Sequence, residues 1–433
     1  MDLRGSLGGL GAVRERVLTR PLRRVAERAA AVDRLPTEAR AALGHYARGG
    51  RLDVAALRLQ SVAESRVAAI VDDAFEGVER AIADDCGVDP ATVSFDYETK
   101  LLLPVELTLV RLYRDLRTRA PDGYDPVDRT VDPGIEGRTY DLLGVGTDEA
   151  DVDPAFSALA READRVDRVT RLVVVALLDG DMRDAVNDAE YEEFEVTVAG
   201  APVDARDDIG RERVAELAQS TLETAVEERF DRFPESVRAA YERAVAASEA
   251  HQERDPEFRE LYETARDGDP EATTAVRERY RDADFDAPPE GYDRADLELP
   301  YFRTQYGRVG VVYDGMFDMY EAAGVRVEAA FRRAVVLTIV YAQVWLDDVD
   351  DYAADAREGQ LTPVTAAYLL ADDREGEGYR RVRGLAREYA DRARELADRS
   401  RSPLVGVAVE YVTRSGDPST LPGTGQGRQA STR

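Results

Sequence analysis

The chain has 433 residues, 44% of them hydrophobic, and its 87 acidic and 58 basic residues give a formal net charge of −29. That length suffices for two or three domains with a sizeable core. The acid excess disfavours nucleic acid as a partner, would be repelled by an anionic membrane surface, and strains a compact fold until salt screens it, which points to a salt-adapted cytoplasm.

Along the chain, residues 1–119 read as an N-terminal helical region. Val13, Val17, Leu22 and Val25 have approximate helical spacing, and Leu59, Val62, Val67, Ile70, Val71, Phe75, Val78 and Ile82 continue it. Pro90 interrupts the pattern, Val93–Tyr97 alternates like a short strand, and 101–119 looks helical again. Residues 120–138, rich in Pro, Gly and Asp, read as a linker. The central region, 139–283, should hold a helix over 153–184 and a small β-hairpin near 194–203, with Ala199-Gly200 at its turn. Charged helices follow over 210–283, with breaks near Pro234 and at Gly268-Asp269-Pro270. Their thin apolar content predicts a largely solvent-facing stretch.

Residues 284–300 read as a second linker, 301–414 as a C-terminal helical unit, and 415–433 as a disordered tail with little to bury. The most apolar stretches, Leu172–Leu178 and Ala334–Leu346, are shorter than the roughly 20 residues a bilayer demands, so no transmembrane segment is expected. The resulting fold class is all-α, a helical bundle with one small β-hairpin.

Cys86 is the single cysteine, and His45 and His251 are the only histidines. That argues against an intrachain disulfide, a multi-cysteine zinc site, a His-rich cage and a Ser-His-Asp triad. Both histidines are expected at the surface. Chemistry then falls to carboxylates, Arg, Tyr or a hard cation.

One segment concentrates such groups. It reads Gln343-Val-Trp345-Leu-Asp347-Asp348-Val-Asp350-Asp351, then Asp355, then Glu358-Gly359-Gln360-Leu361-Thr362-Pro363. On a continuous helix Asp347, Asp351 and Asp355 share one face. Their mutual repulsion, and their place near a helix C-terminus, cost stability that a divalent cation would reverse. Mg²⁺ is suited to bridging carboxylates and substrate phosphates. Asp179, Asp181 and Asp184, which also close an apolar helix, are a weaker metal candidate; Arg303, Arg308 and Trp345 are candidates for substrate contacts.

The pattern Asp347-Asp348-x-x-Asp351, with Asp355 and the Gly359-x-x-Thr362-Pro363 phrase, resembles the second aspartate-rich motif of trans-polyprenyl diphosphate synthases. It is also similar to the motif of the UbiA-type prenyltransferases. The resemblance covers about 40 residues, from Arg332 to Ala371. It departs from the family in placing Gln343 four residues before the first Asp, and in lacking a clean first DDxxD upstream. It implies an isoprenoid-synthase bundle, a prenyl diphosphate as substrate, and Mg²⁺ held by Asp347, Asp348 and Asp351, with Asp355 nearby. A second reading stays open: a non-catalytic helical scaffold or partner-binding protein that keeps a degenerate acidic site.

Overall fold

The computed structural model describes residues 22–424 except 33, 51–52, 98, 100–101, 121–124, 128–153, 189–190, 192–193, 207–208 and 374–375. Most of the linker expected at 120–138, the start of the first helical pattern and the last residues of the tail lie outside the described residues. The chain is all-α with one small sheet, and it divides into two compact units. One unit comprises Ala55–Tyr241 with Asp318–Val327; the other comprises Met1–Val54, Glu242–Phe317 and Glu328–Arg433. The units do not follow the consecutive regions expected from composition, because each is assembled from separated stretches of chain.

In the Ala55–Tyr241 unit, helices Val54–Cys86, Leu103–Arg119, Pro154–Asp188 and Arg211–Phe230 carry the core. Val169, Leu172, Val173, Val174 and Val175 are fully buried, which is why that apolar run lacks a polar face. The strand expected at Val93–Tyr97 (β1) pairs antiparallel with Phe194–Val198 (β2), and Ala201–Pro202 (β3) completes the hairpin. Both five-residue strands alternate buried and exposed, with Val93, Phe95 and Tyr97 facing inward opposite Val198, Val196 and Phe194. Ala199 and Gly200 both adopt positive φ, as a two-residue hairpin turn of this hand requires.

In the second unit, the apolar helix Ala329–Ala342 packs against Gly376–Arg399 and Pro403–Ser415. Phe331, Val335, Val336, Leu337 and Val340 are its fully buried contacts. Helical structure continues past Ala342, so Ala329–Asp350 is long and apolar enough by length and composition to cross a membrane, and more than half of its apolar window is buried inside the protein. Helices Asp255–Arg266 and Pro270–Ala275 bury Phe258, Tyr262, Ala265 and Ala272. They are therefore packed on one side, although their charge content suggested a solvent-facing stretch.

Two further regions differ from their sequence reading. Residues 284–300, expected as a linker, lie inside the unit. Asp293 caps the short helix Arg294–Leu297, and Asp296, fully buried, accepts from Arg392 Nε at 2.6 Å and from Arg333 at 2.5 Å. Asp293 accepts from the same two arginines at 2.6 and 2.5 Å. Burial pushes the Asp293 carboxyl up, and the hydrogen bonds from Arg333 and Arg392 more than offset this, holding it down at about 2. A composition that looks like a linker conceals these partners because both arginines come from distant helices. The tail also differs: past Ser415 the chain stays packed to 424, with Leu421 buried and the Tyr368 hydroxyl donating to Pro422 O at 2.7 Å.

Candidate functional site

The acidic segment closes the helix Ala329–Ala342 through a π-helical turn, Gln343–Asp347, in which the Asp348 N–H donates five residues back to Gln343 O. One extra residue in a turn rotates everything after it by roughly 100° about the axis. The helix then breaks at Asp351, and a separate segment, Tyr352–Glu358, runs to Gly359. Asp347 and Asp351 are consequently exposed, Asp348 is buried, and Asp355 is half-buried. Asp347, Asp351 and Asp355 keep the helical spacing, with Asp351 N–H donating to Asp347 O and Asp355 N–H to Asp351 O, both at 2.9 Å, but Asp347 and Asp351 face outward and the carboxylates beside Arg308 are Asp348 and Asp355.

The Gly359-x-x-Thr362-Pro363 phrase explains itself locally. Gly359 ends its helix at φ +77, and a Cβ there would meet Glu263 Oε1 at 3.1 Å. Thr362 caps the helix Pro363–Leu369: its hydroxyl accepts from Thr365 N at 3.2 Å, while Thr365 Oγ1 accepts from Thr362 N at 2.8 Å. Thr362 also donates to Asp355.

Two more π-helical turns occur in the same unit. Tyr306–Gly310 carries Arg308, and Val276–Arg281 carries the buried Tyr280. Arg308 Nη1 donates to Asp348 Oδ1 at 3.1 Å, while Asp348 Oδ2 is buried without a hydrogen-bond partner. Burial drives the Asp348 carboxyl up to about 7; Arg308 opposes that rise, and Asp355 and Asp347 add to it. Burial likewise raises Asp355, to about 6, against the pull of Arg308. These are two carboxylates held at a charge cost that one guanidinium offsets only in part.

A cationic group flanks them. His251, expected at the surface, is 7% exposed, and its Nδ1 has no hydrogen-bond partner. Burial, then Arg308, Arg254 and Arg303, lower its pKa to about 4, so the ring is neutral near pH 7. Gly307 makes this packing feasible: a Cβ there would lie 2.9 Å from His251 Nδ1 and 3.4 Å from Arg303 Nη1. Burial and the neighbouring Arg254 also lower the pKa of Arg303, whose guanidinium lies over the Phe285 ring at 5.2 Å. Like-charged arginines gathered around a neutral imidazole are favourable toward an oxyanion and costly otherwise.

The structure thus brings together Asp348, Asp355, Arg303 and Arg308 of the sequence candidates. Trp345 is buried and packs against the backbone at Gly416 instead of lining this group. Asp179, Asp181 and Asp184 belong to the other unit. There Asp179 is buried and occupied, accepting from Arg183 at 2.8 Å, Tyr241 at 3.0 Å and Gln219 at 3.2 Å, which makes it a helix-packing residue. Arg254 and Tyr280 were not singled out from the sequence, and His251 was expected at the surface; the glycine pair Gly307 and Gly310 beside Arg308 was the one local signal of a close approach.

His251 gives a measurable consequence. Its folded pKa lies below the ordinary 6.5, so the unfolded chain takes up a proton first as pH falls. The stability associated with the neutral ring is complete above pH 6.5 and is lost as pH drops toward 4. Relative to His251→Gln, wild type should lose about 3 kcal/mol between pH 7.5 and 4. Urea midpoints of the pair across that range measure this, and parallel curves would contradict the buried neutral ring.

The resemblance to prenyl synthases implies Mg²⁺, and the carboxylates can be tested for it. Among the described residues, no group of three or more His, Cys, Asp and Glu side chains is placed to hold a metal ion. The unpartnered Asp348 Oδ2, with Asp355 beside it, does suit a cation that brings its own waters and phosphate oxygens, which is how Mg²⁺ is commonly bound. No family model, curated protein or solved structure matches the chain.

Proposed function

We propose that this protein binds a prenyl diphosphate together with Mg²⁺ and acts as an isoprenoid-synthase-like enzyme of a salt-adapted cytoplasm. The observation that carries the reading is the juxtaposition of a buried, half-satisfied carboxylate with an arginine group: Asp348 Oδ2 lacks a partner while Arg254, Arg303 and Arg308 crowd His251. A lone metal ion would satisfy the carboxylates and leave the arginines. A lone anion would satisfy the arginines and leave Asp348. A metal-bound diphosphate complements both.

In this reading Asp348 and Asp355 would hold the metal, with Asp347 and Asp351 adding negative charge beside them. Arg308 and Arg303 would hold the diphosphate. When bound, Mg²⁺ supplies Lewis acidity toward the leaving diphosphate. The chain's own residues bind and orient that group, and the neutral His251 keeps a further positive charge off the site.

The test is incubation with labelled prenyl diphosphates and Mg²⁺ in molar KCl, following release of pyrophosphate and formation of products. Wild type should turn over, and Asp348→Asn should lose at least about 100-fold, the scale of removing one electrostatic partner from a charged transition state. No turnover in wild type with any prenyl diphosphate would sink the enzymatic reading. The non-catalytic scaffold reading is favoured by one observation, that Arg308 already occupies the cation's place at Asp348 Oδ1.

A further inference from the structure

A separate cavity of about 370 Å³ opens in the same unit, and nothing in the proposed activity uses it. Three guanidinium groups line it, Arg277, Arg281 and Arg381, in a chain whose net charge is −29. Its remaining wall is mostly apolar: Pro300, the Tyr301 ring, Leu370 and Leu385. Glu388 is the one acidic side chain among the lining residues.

The cavity is built, in that its walls are fixed from behind. Tyr301 holds a left-handed backbone, φ +64, which a non-glycine residue adopts only when its surroundings impose it. Its N–H donates to Arg281 O at 2.6 Å, and its ring lies 5.9 Å from that of Tyr280. Pro300 O accepts from the buried Tyr389 hydroxyl at 2.8 Å. Arg381 is anchored on Leu370 O at 2.7 Å and on Glu377 at 2.6 Å, and Arg281 pairs with its neighbour Asp282 at 2.9 Å. The Arg277 guanidinium, exposed on the π-helical turn, has no hydrogen-bond or ion-pair partner among the described residues. Two arginines are thus pre-oriented while the third remains available.

We infer that the cavity bounded by Arg277, Arg281, Arg381 and Tyr301 binds a phosphate monoester carrying a short hydrocarbon group, with the phosphate on the arginine rim and the hydrocarbon on the Tyr301, Leu370 and Leu385 floor. Guanidinium forks match phosphate oxygens in pairs, and a volume of this size lies at the small end of ligand pockets. This site needs no metal and does not rest on the Asp348 reading.

The experiment is thermal unfolding of the full chain at fixed molar KCl with EDTA, titrated with n-hexyl phosphate, hexanoate or inorganic phosphate. For wild type we expect hexyl phosphate to raise the melting temperature by several degrees and the other two to do so by much less. Arg277→Gln, at an exposed side chain, should fold normally and lose most of the shift, as should Arg381→Gln, whereas Asp348→Asn should keep it. No shift with hexyl phosphate, an equal shift with hexanoate or inorganic phosphate, or an undiminished shift in Arg277→Gln would each overturn the assignment. Loss of the shift in Asp348→Asn would transfer the binding to the other site and overturn it as well.

Discussion

Asp296→Ala should cost about 3–5 kcal/mol, the range measured when one partner is taken from a buried ion pair. Asp296 is fully buried and accepts from Arg392 and Arg333, which are themselves nearly buried. Removing the carboxylate leaves Arg333 with Asp293, which is 42% exposed, and Arg392 with Asp293 and the more exposed Glu395 at 2.6 Å. The loss corresponds to a fall of roughly 10 °C in melting temperature for a unit of this size. Asp296→Leu combined with Arg392→Met should recover much of it, because an apolar pair carries no uncompensated charge. If Asp296→Ala melts within a degree of wild type, the 284–300 segment is not the buried clasp described above.

Transfer from 0.1 M to 3 M KCl should raise the melting temperature by roughly 10 °C, the equivalent of about 4 kcal/mol of relieved self-repulsion. The cause is the net charge of −29 and the near absence of lysine. Exposed ion pairs oppose the trend, since salt weakens them, but each contributes little. Arg213 with Asp85 at 2.8 Å and Arg119 with Glu162 at 2.6 Å are examples. The diffuse repulsion should therefore prevail. A flat or falling melting temperature across the series would contradict that balance, and with it the expectation of salt adaptation.

The strands, the hairpin turn and several helix breaks were legible because they are local, whereas the pairing of Val93–Tyr97 with the distant Phe194–Val198 was not. Alternation marked Val93–Tyr97 and Phe194–Val198, and Ala199-Gly200 marked the turn. Pro234 and Gly268-Asp269 fall between helices, and Pro270 opens the next one. The site was only half legible. Composition and spacing drew attention to Asp347–Asp355, but which aspartate turns inward depends on a single extra residue in the turn Gln343–Asp347, and no periodicity argument reveals that. The same limit hid the clasp, because Asp293 and Asp296 look like linker residues until Arg333 and Arg392 arrive from other helices. His251 gave no signal either. Its burial follows from Gly307, where the missing side chain makes room.

In the proposed function the carboxylate pair and the arginine group act together on one metal-bound diphosphate. Electron paramagnetic resonance of Mn²⁺ tests it directly, by counting bound Mn²⁺ in molar KCl with and without pyrophosphate. Wild type should bind Mn²⁺ weakly alone and at least about tenfold more tightly with pyrophosphate, a coupling of about 1.4 kcal/mol. Asp348→Asn and Arg308→Gln should each abolish that gain, the first by removing a ligand and the second by removing an anion contact. Mn²⁺ binding that is unchanged by pyrophosphate, or a gain that survives both substitutions, would overturn the proposed site.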